Sequence, residues 1–256
     1  MMEFYSTTPT CQQKLANTPT KTKVAHTTSR VSSWLSPLAY ILGRHLVLPS
    51  FFRHIDIIGQ EHIPTTGPVI LAPTHRSRWD ALLIPYVAMG SIAGKDLRFM
   101  VTSSECQGLQ GWFVKRLGGF PVDPKHPSIT TLRHGVELLE ERKTLVIFPE
   151  GGIYRDAKVH PLKPGIARLA LSAESSQPGL GVKVIPISIN YSQPYPNWGT
   201  DVRIYVAPAI KVADYANGCI KQNAKCLTAE LARVLQQLSS QESEITTHAF
   251  AEIPNS

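Results

Sequence analysis

Two ionisable side chains, His75 and Asp80, lie five residues apart in a polar stretch that follows a short apolar run. Histidine is the side chain best suited to accept and donate a proton near neutral pH. A neighbouring carboxylate can fix one imidazole tautomer and stabilise the protonated ring. The pair therefore indicates general-base chemistry. The simpler alternative is a turn histidine followed by an acid at the start of a helix.

The spacing of this pair limits how the chain can position it. Residues five apart do not share a face of a helix. Residues 68–72 predict a buried strand, and residues 81–87 predict a buried helix. We therefore expect His75 to lie in the turn and Asp80 to reach back to it from the first turn of the helix. Open α/β sheets place their sites at such strand ends.

A second apolar run, residues 146–148, also ends in a polar, glycine-bearing turn that contains Glu150, Gly151 and Gly152. Two strand ends of this kind in one domain predict a single shared cleft. Backbone N–H groups near the two glycines are candidates to stabilise a developing oxyanion.

These motifs resemble those of the glycerolipid acyltransferases, the family of 1-acylglycerol-3-phosphate acyltransferase. Residues 75–80 are similar to the His-four-residues-Asp motif of that family, and residues 148–151 are similar to its Phe-Pro-Glu-Gly motif. Residues 163–165 and 184–187 resemble two further blocks, a basic-then-Gly element and a Val-Pro block. The order and spacing of the four elements make the resemblance specific, and it extends over about residues 55–209.

The resemblance implies transfer of a fatty acyl group from an acyl thioester, acyl-CoA or acyl-carrier protein, to the free hydroxyl of 1-acylglycerol-3-phosphate. The product would be phosphatidic acid, in phospholipid biosynthesis, with no cofactor beyond the acyl donor. Another lysolipid or a hydrophobic alcohol is the alternative acceptor. A non-catalytic lipid-binding module is disfavoured because His75 and Asp80 are both present.

A thioester is already activated, so the acceptor hydroxyl can attack it directly once a base removes its proton. His75 is the expected general base and Asp80 the residue that orients it. A serine nucleophile is the rival mechanism, but Ser77 lies outside any Gly-x-Ser-x-Gly elbow. Ser77 is better interpreted as a helix-start cap.

The resemblance assigns acceptor binding to the turn of Glu150, Gly151 and Gly152, although Glu150 could simply organise that turn. The chain departs from the family pattern where an arginine is expected to hold the acceptor phosphate. Ile153 occupies one such position and Pro124 the other. Either Arg155 and Lys125 replace the two missing arginines from neighbouring positions, because a guanidinium or ammonium can pair with phosphate, or the acceptor is not a simple glycerol phosphate.

The composition favours a globular protein at a membrane surface. The chain has 256 residues, of which 43% are hydrophobic and 18% charged, and a net charge of +7 that is concentrated in residues 1–53. A basic segment beside apolar residues suits an anionic membrane. No nucleic-acid-binding motif is present, so nucleic acid is not an expected partner. The four cysteines form no Cys-x-x-Cys pair, and no His/Cys cluster has the spacing of a metal site.

The N-terminal region divides into two predicted segments. Residues 1–30 are polar and predict a disordered tail. Residues 31–53 are apolar and aromatic, but Arg44 and His45 interrupt them, so they are too short to span a bilayer. They predict an amphipathic interfacial helix, placing the protein peripherally on the cytoplasmic face of a membrane, although packing on the domain's own core is the alternative.

Strands alternate with helices through the rest of the chain, which predicts a single acyltransferase domain over residues 54–245. The expected fold is α/β, with a mainly parallel mixed sheet flanked by helices. By resemblance, it is the glycerol-3-phosphate acyltransferase-like fold.

Overall fold

A computed structural model describes residues 31–89, 97–123 and 128–251 of the chain. The predicted tail, residues 1–30, and the predicted phosphate ligand Lys125 lie outside these ranges. The strands are β1 (Phe52–Ile58), β2 (Val69–Pro73), β3 (Leu97–Thr102), β4 (Gly119–Val122), β5 (Thr144–Val146), β6 (Lys183–Tyr191), β7 (Thr200–Val206) and β8 (Ile210–Lys211). The α-helices are α1 (Leu35–Leu42), α2 (Leu48–Phe51), α3 (Asp80–Ala88), α4 (Gly108–Arg116), α5 (Ile129–Glu140), α6 (Gly165–Ser176) and α7 (Ile220–Ala251).

The eight strands form one sheet in the order β1-β7-β6-β2-β5-β3-β4, and β8 pairs with β6. All neighbours along this order are parallel except β6 and β7, and β8 is also antiparallel to β6. The predicted mainly parallel mixed sheet is therefore confirmed. Strand β2 lies at its centre and all five of its residues are buried, as expected for a parallel strand covered on both faces.

Each face of the sheet carries its own apolar core, because neighbouring strand residues point to opposite faces. Ile70 of β2 belongs to the core shared with α5, α6 and α7. Leu71, the next residue, belongs to the core shared with α2 and α3, where Leu48 and Leu83 are buried. The helices of the two cores enclose the sheet and leave its strand ends to form the site.

The N-terminal segment is helical from Leu35 to Phe51, with a π-helical stretch, Gly43–Val47, between α1 and α2. Strand β1 follows at once at Phe52, so the helical segment ends two residues before the predicted boundary at residue 53. Its buried face meets α3 around a small cavity lined by residues of both elements, including Arg44 and Tyr86. Among the residues that the structure describes, no helix is both long enough and apolar enough to cross a membrane.

Candidate active site

The sheet places the two chemical motifs side by side. Strand β2 pairs in parallel with β5, and Leu71 lies opposite Val146. The pairing continues one residue past the end of β5, because the Ile147 N–H donates to the Leu71 carbonyl at 3.0 Å. The turns that follow β2 and β5 therefore leave the same edge of the sheet, which confirms the prediction that the two strand ends lie together.

The turn after β2 brings His75 and Asp80 into contact. His75 Nδ1 lies 2.9 Å from Asp80 Oδ2, and Asp80 is the first residue of α3. The same carboxylate oxygen accepts the backbone N–H groups of Arg76 at 2.6 Å and Ser77 at 2.9 Å. The Asp80 carboxylate therefore holds the turn in place through these hydrogen bonds. The prediction that Asp80 reaches back to His75 from the first helical turn is confirmed.

The contact with Asp80 fixes the tautomer of the neutral imidazole. An ionised carboxylate can only accept, so Nδ1 carries the proton and Nε2 of the neutral ring carries the lone pair. The ring stacks on Phe148 at a centroid distance of 4.0 Å and a tilt of 24°. The His75 side chain is 18% exposed, whereas that of Asp80 is fully buried. A partly exposed imidazole with a fixed orientation has the features that a general base needs.

A third side chain, Tyr191 at the end of β6, completes the bonding of Asp80. Its hydroxyl donates to Asp80 Oδ1 at 2.6 Å. Burial, and then the negative charge of Asp80, raise the pKa of Tyr191 well above its usual value, so the phenol stays protonated and donates. The sequence interpretation missed this residue. The apolar pattern of the sequence predicts the strand but not its neighbour, and the contact arises because β6 is parallel to β2 and their carboxyl ends share one edge.

Glu150, in the turn after β5, is as buried as Asp80 but has different partners. It is 1% exposed. Its Oε1 accepts the His75 backbone N–H at 3.1 Å, and its Oε2 accepts the His160 backbone N–H at 2.9 Å. Both oxygens also accept from Arg76 Nη1, at 2.9 and 3.1 Å. The carboxylate thus organises the turn, and its role in acceptor binding stays a prediction.

Arg76, another residue that the sequence interpretation missed, joins the two motifs. Its guanidinium is buried against Glu150 and also donates to the carbonyl of Lys158 at 3.1 Å. The Tyr154 N–H in turn donates to the His75 carbonyl at 2.8 Å. These bonds hold the loop after Phe-Pro-Glu-Gly against the histidine turn, so the two motifs form one rigid unit.

Gly151 and Gly152 lie at the opening of this loop. Gly151 has a φ of +72°, in the region that favours glycine, and its N–H donates to the Phe148 carbonyl at 3.2 Å. A Cβ at Gly151 would also press on the Lys163 side chain at 3.2 Å. Within the described chain the Gly152 N–H donates to no protein acceptor, so it is the better of the two candidates for an oxyanion donor.

The remaining predicted residues lie at the margin of the site. Arg155 is exposed, with its guanidinium 4.8 Å from the centre of the Tyr195 ring, and its role in phosphate binding stays a prediction. The interpretation of Ser77 as a helix cap is wrong. Its hydroxyl accepts the Trp79 N–H at 3.3 Å, inside the turn, and α3 begins without a side-chain cap because the Asp80 carboxylate already occupies the turn.

Comparisons with known proteins identify the family of this chain. Residues 54–190 match the family model described as Acyltransferase. Glycerol-3-phosphate acyltransferase 1, mitochondrial, of Mus musculus is 32% identical over 164 residues, which are 56% of this chain and 19% of that protein. The 1-acyl-sn-glycerol-3-phosphate acyltransferase of Bacillus subtilis is 27% identical over 126 residues, 48% of this chain and 60% of that one. This chain thus spans about a fifth of the mouse protein's length.

A solved structure supports the fold. The crystal structure of the 1-acyl-sn-glycerophosphate (LPA) acyltransferase, PlsC, from Thermotoga maritima superposes with a TM-score of 0.60 and 19% identity, over 82% of this chain and 80% of that one. At that identity the likeness establishes the shared fold. The family match extends over more than half of the chain and includes both strand-end motifs, and the chain therefore belongs to the acyltransferase family.

Proposed function

We propose that this protein transfers a fatty acyl group from an acyl thioester to the free hydroxyl of 1-acylglycerol-3-phosphate, forming phosphatidic acid. The observation that carries the proposal is the 2.9 Å contact between His75 Nδ1 and Asp80 Oδ2, inside the region that matches the family. It leaves Nε2 as the basic nitrogen of a partly exposed ring. Acyl-CoA and acyl-carrier protein are both suitable donors.

The reaction needs one base and no enzyme nucleophile. His75 Nε2 takes the hydroxyl proton as the acceptor oxygen bonds to the thioester carbonyl carbon. The carbonyl oxygen becomes negative, and the Gly152 N–H is the candidate donor to it. When the carbon–sulfur bond breaks, the imidazolium returns its proton to the thiolate that leaves. Asp80 holds the ring throughout and stabilises its charged form.

The acceptor follows from the names of the relatives and from the charges near the site. The Bacillus subtilis relative is named for 1-acyl-sn-glycerol-3-phosphate. Glycerol 3-phosphate is the second candidate acceptor, because the mouse relative, at a higher identity, is named for it. Both molecules carry a free hydroxyl and a phosphate. In either case, Arg155 is the proposed phosphate contact, and Lys125 is the second candidate.

A panel of acceptors tests the proposal. The full chain is incubated with a labelled acyl thioester, either acyl-CoA or acyl-carrier protein, and with 1-acylglycerol-3-phosphate, glycerol 3-phosphate or a monoacylglycerol. We expect the labelled product to form fastest with 1-acylglycerol-3-phosphate. Faster acylation of glycerol 3-phosphate would favour the second candidate, and faster acylation of the monoacylglycerol would favour a non-phosphate acceptor. Failure to acylate any of them would overturn the proposal.

The substrates are lipids, and the surface of α1 supports peripheral binding to a membrane, with the cytoplasmic face as the proposed side. Five large apolar side chains, one just before the N-terminal helical segment and four within it, recur at the spacing of a single helix face. Their exposed fractions lie between 48% and 64%. Such a stripe next to basic residues suits the interface of an anionic bilayer. The stripe consists of Trp34, Leu38, Ile41, Leu42 and Leu46.

Vesicle binding tests this surface. Leu38→Asp and Leu46→Asp should each lower partitioning to vesicles that contain anionic lipid by about tenfold, because each removes an apolar side chain from the interface. High salt should weaken wild-type binding only in part, since the apolar contribution persists. Ile129→Asp is the matched control, since Ile129 is 85% exposed on α5, outside the stripe. Equal partitioning of all three variants and the wild type would contradict the assignment.

A further inference from the structure

We infer that Tyr191 is a positioning residue for the acyl transfer: its hydroxyl fixes the Asp80 carboxylate and, through it, the orientation of His75. The inference rests on the proposed function, and it adds a third member to the His75–Asp80 pair. Tyr191 lies 111 residues from Asp80 in the sequence, and the bond of 2.6 Å between them exists only because the sheet brings β6 beside β2.

The two oxygens of Asp80 are not equivalent. Oδ2 faces three donors, namely His75 Nδ1, the Arg76 N–H and the Ser77 N–H. Across the described part of the chain, the donor to Oδ1 is the Tyr191 hydroxyl. Because Asp80 is fully buried, Oδ1 cannot take a water-exposed position instead. A buried carboxylate oxygen that loses its donor is costly, so without Tyr191 the carboxylate would turn toward another donor.

Tyr191 is itself held in a fixed place. It is the last residue of β6 and pairs with Val202 of β7, which sets the position of its backbone. Its ring lies 6.0 Å from that of Phe52, which is buried at the start of β1. The phenol therefore reaches Asp80 from a rigid strand rather than from a loop, as a positioning residue requires.

This geometry predicts how the kinetic constants respond. Tyr191 contacts Asp80, which lies behind the imidazole, so its loss should change the orientation of the base and leave substrate binding intact. Tyr191→Phe retains the ring and its packing but removes the hydroxyl. A hydrogen bond to a charged group is stronger than one between neutral groups, so the loss of the bond to Asp80 should have a large effect. We expect Tyr191→Phe to lower kcat about 10- to 100-fold, with both KM values unchanged.

A double-mutant cycle tests whether Tyr191 acts through Asp80. In an Asp80→Ala background, the further change Tyr191→Phe should leave kcat unaltered, because the group that Tyr191 positions is already gone. Tyr86→Phe is the matched control, since Tyr86 lies on α3, the helix that begins at Asp80, and its activity should match the wild type. The imidazole ¹⁵N shifts of His75 give a second readout that needs no substrate, and Tyr191→Phe should move them away from the single wild-type tautomer.

The outcomes separate this inference from the proposed function. An inactive wild type would remove the proposed function, while the ¹⁵N shifts would still report whether Tyr191 orders His75. The inference is overturned if Tyr191→Phe keeps kcat within twofold of wild type and leaves the ¹⁵N shifts unchanged. It is also overturned if the variant raises an acceptor or donor KM with kcat intact, or if its loss of kcat persists undiminished in the Asp80→Ala background.

Discussion

Asp80 and Glu150 are two buried carboxylates in adjacent turns, and both bond to His75, one through the ring and one through the backbone. They differ in what balances their charge. Glu150 pairs with the guanidinium of Arg76, which is charged at every accessible pH. In the part of the chain that the structure describes, Asp80 is held by hydrogen bonds from a histidine, a tyrosine and two backbone N–H groups.

The difference assigns the two carboxylates distinct tasks. The charge of Glu150 is matched permanently, so its pair with Arg76 serves to hold the turns in place. In the proposed mechanism, the charge of Asp80 meets a positive partner when His75 becomes an imidazolium, at the moment when the acceptor loses its proton. Under that mechanism the interaction would be stronger in the transition state than in the resting enzyme, which is the condition for lowering the barrier.

Asp80→Asn should give the largest effect, because it removes the carboxylate charge that is assigned to catalysis. The amide has nearly the same shape but can present a donor to Nδ1, which stabilises the wrong imidazole tautomer. By analogy with serine-protease triads, we expect turnover to fall by about 10⁴-fold while the folded structure persists. Steady-state kinetics and urea unfolding measure the two properties separately. A variant that keeps its turnover within tenfold of wild type would contradict the assignment.

Glu150→Gln should lower the stability of the fold, because Glu150 is the carboxylate assigned to holding the turns. It leaves the buried guanidinium of Arg76 without a counter-charge, and removing one partner of a buried ion pair costs about 3–5 kcal/mol of stability. Urea unfolding measures that loss. The added change Arg76→Met should restore part of the stability, because it removes the unpaired charge. A midpoint that does not move in Glu150→Gln would show that the pair does not hold the turns.

Arg155 contrasts with the buried Arg76, because it is an exposed arginine in the loop that Arg76 holds. Its guanidinium lies on the Tyr195 ring and, among described residues, makes no ion pair, so it is free to meet a phosphate. Arg155→Ala should raise the KM for 1-acylglycerol-3-phosphate about tenfold, and that for the acyl thioester much less. Arg155→Lys should recover only part of the loss. An unchanged acceptor KM would favour a substrate without phosphate.

The exposed pair of Arg53 and Asp201 should give the smallest effect. Hydrogen bonds from Arg53 lower the pKa of Asp201 to about 2. Because the folded pKa lies below the usual value of an aspartate, the pair stabilises the fold at neutral pH and loses that contribution as the pH falls from about 4 toward 2. Because water screens an exposed pair, Asp201→Asn should lower stability at pH 7 much less than Glu150→Gln does. A loss equal to that of Glu150→Gln would contradict the contrast between buried and exposed pairs.

Local sequence patterns were sufficient to predict those parts of the site whose residues are close together in the chain. The spacing of His75 and Asp80 placed one in a turn and the other at a helix start, and the structure agrees. The apolar runs before each motif gave the two parallel strands and their shared edge. These features depend on contacts within a few residues and on the general rule that strand ends meet at one edge.

Contacts between distant residues could not be derived in the same way. Arg76 and Glu150 are 74 residues apart, and nothing in either neighbourhood specifies that they pair. The contact of Tyr191 with Asp80 depends on the register of β6 beside β2, which periodicity does not determine. The π-helical stretch Gly43–Val47 was also missed, because a one-residue change in helical pitch leaves no clear trace in the apolar pattern.

The turnover of His75→Ala, measured beside that of His54→Ala, tests most directly whether His75 is the general base. His54 also contacts an aspartate through Nδ1, at 3.1 Å from Asp201, but it is exposed and lies away from the strand-end turns. With the acyl thioester and 1-acylglycerol-3-phosphate, we predict that His75→Ala lowers kcat by about 10²–10⁴-fold, as expected for the loss of a general base, while His54→Ala matches the wild type. A folded His75→Ala protein with near wild-type turnover would show that His75 is not the general base.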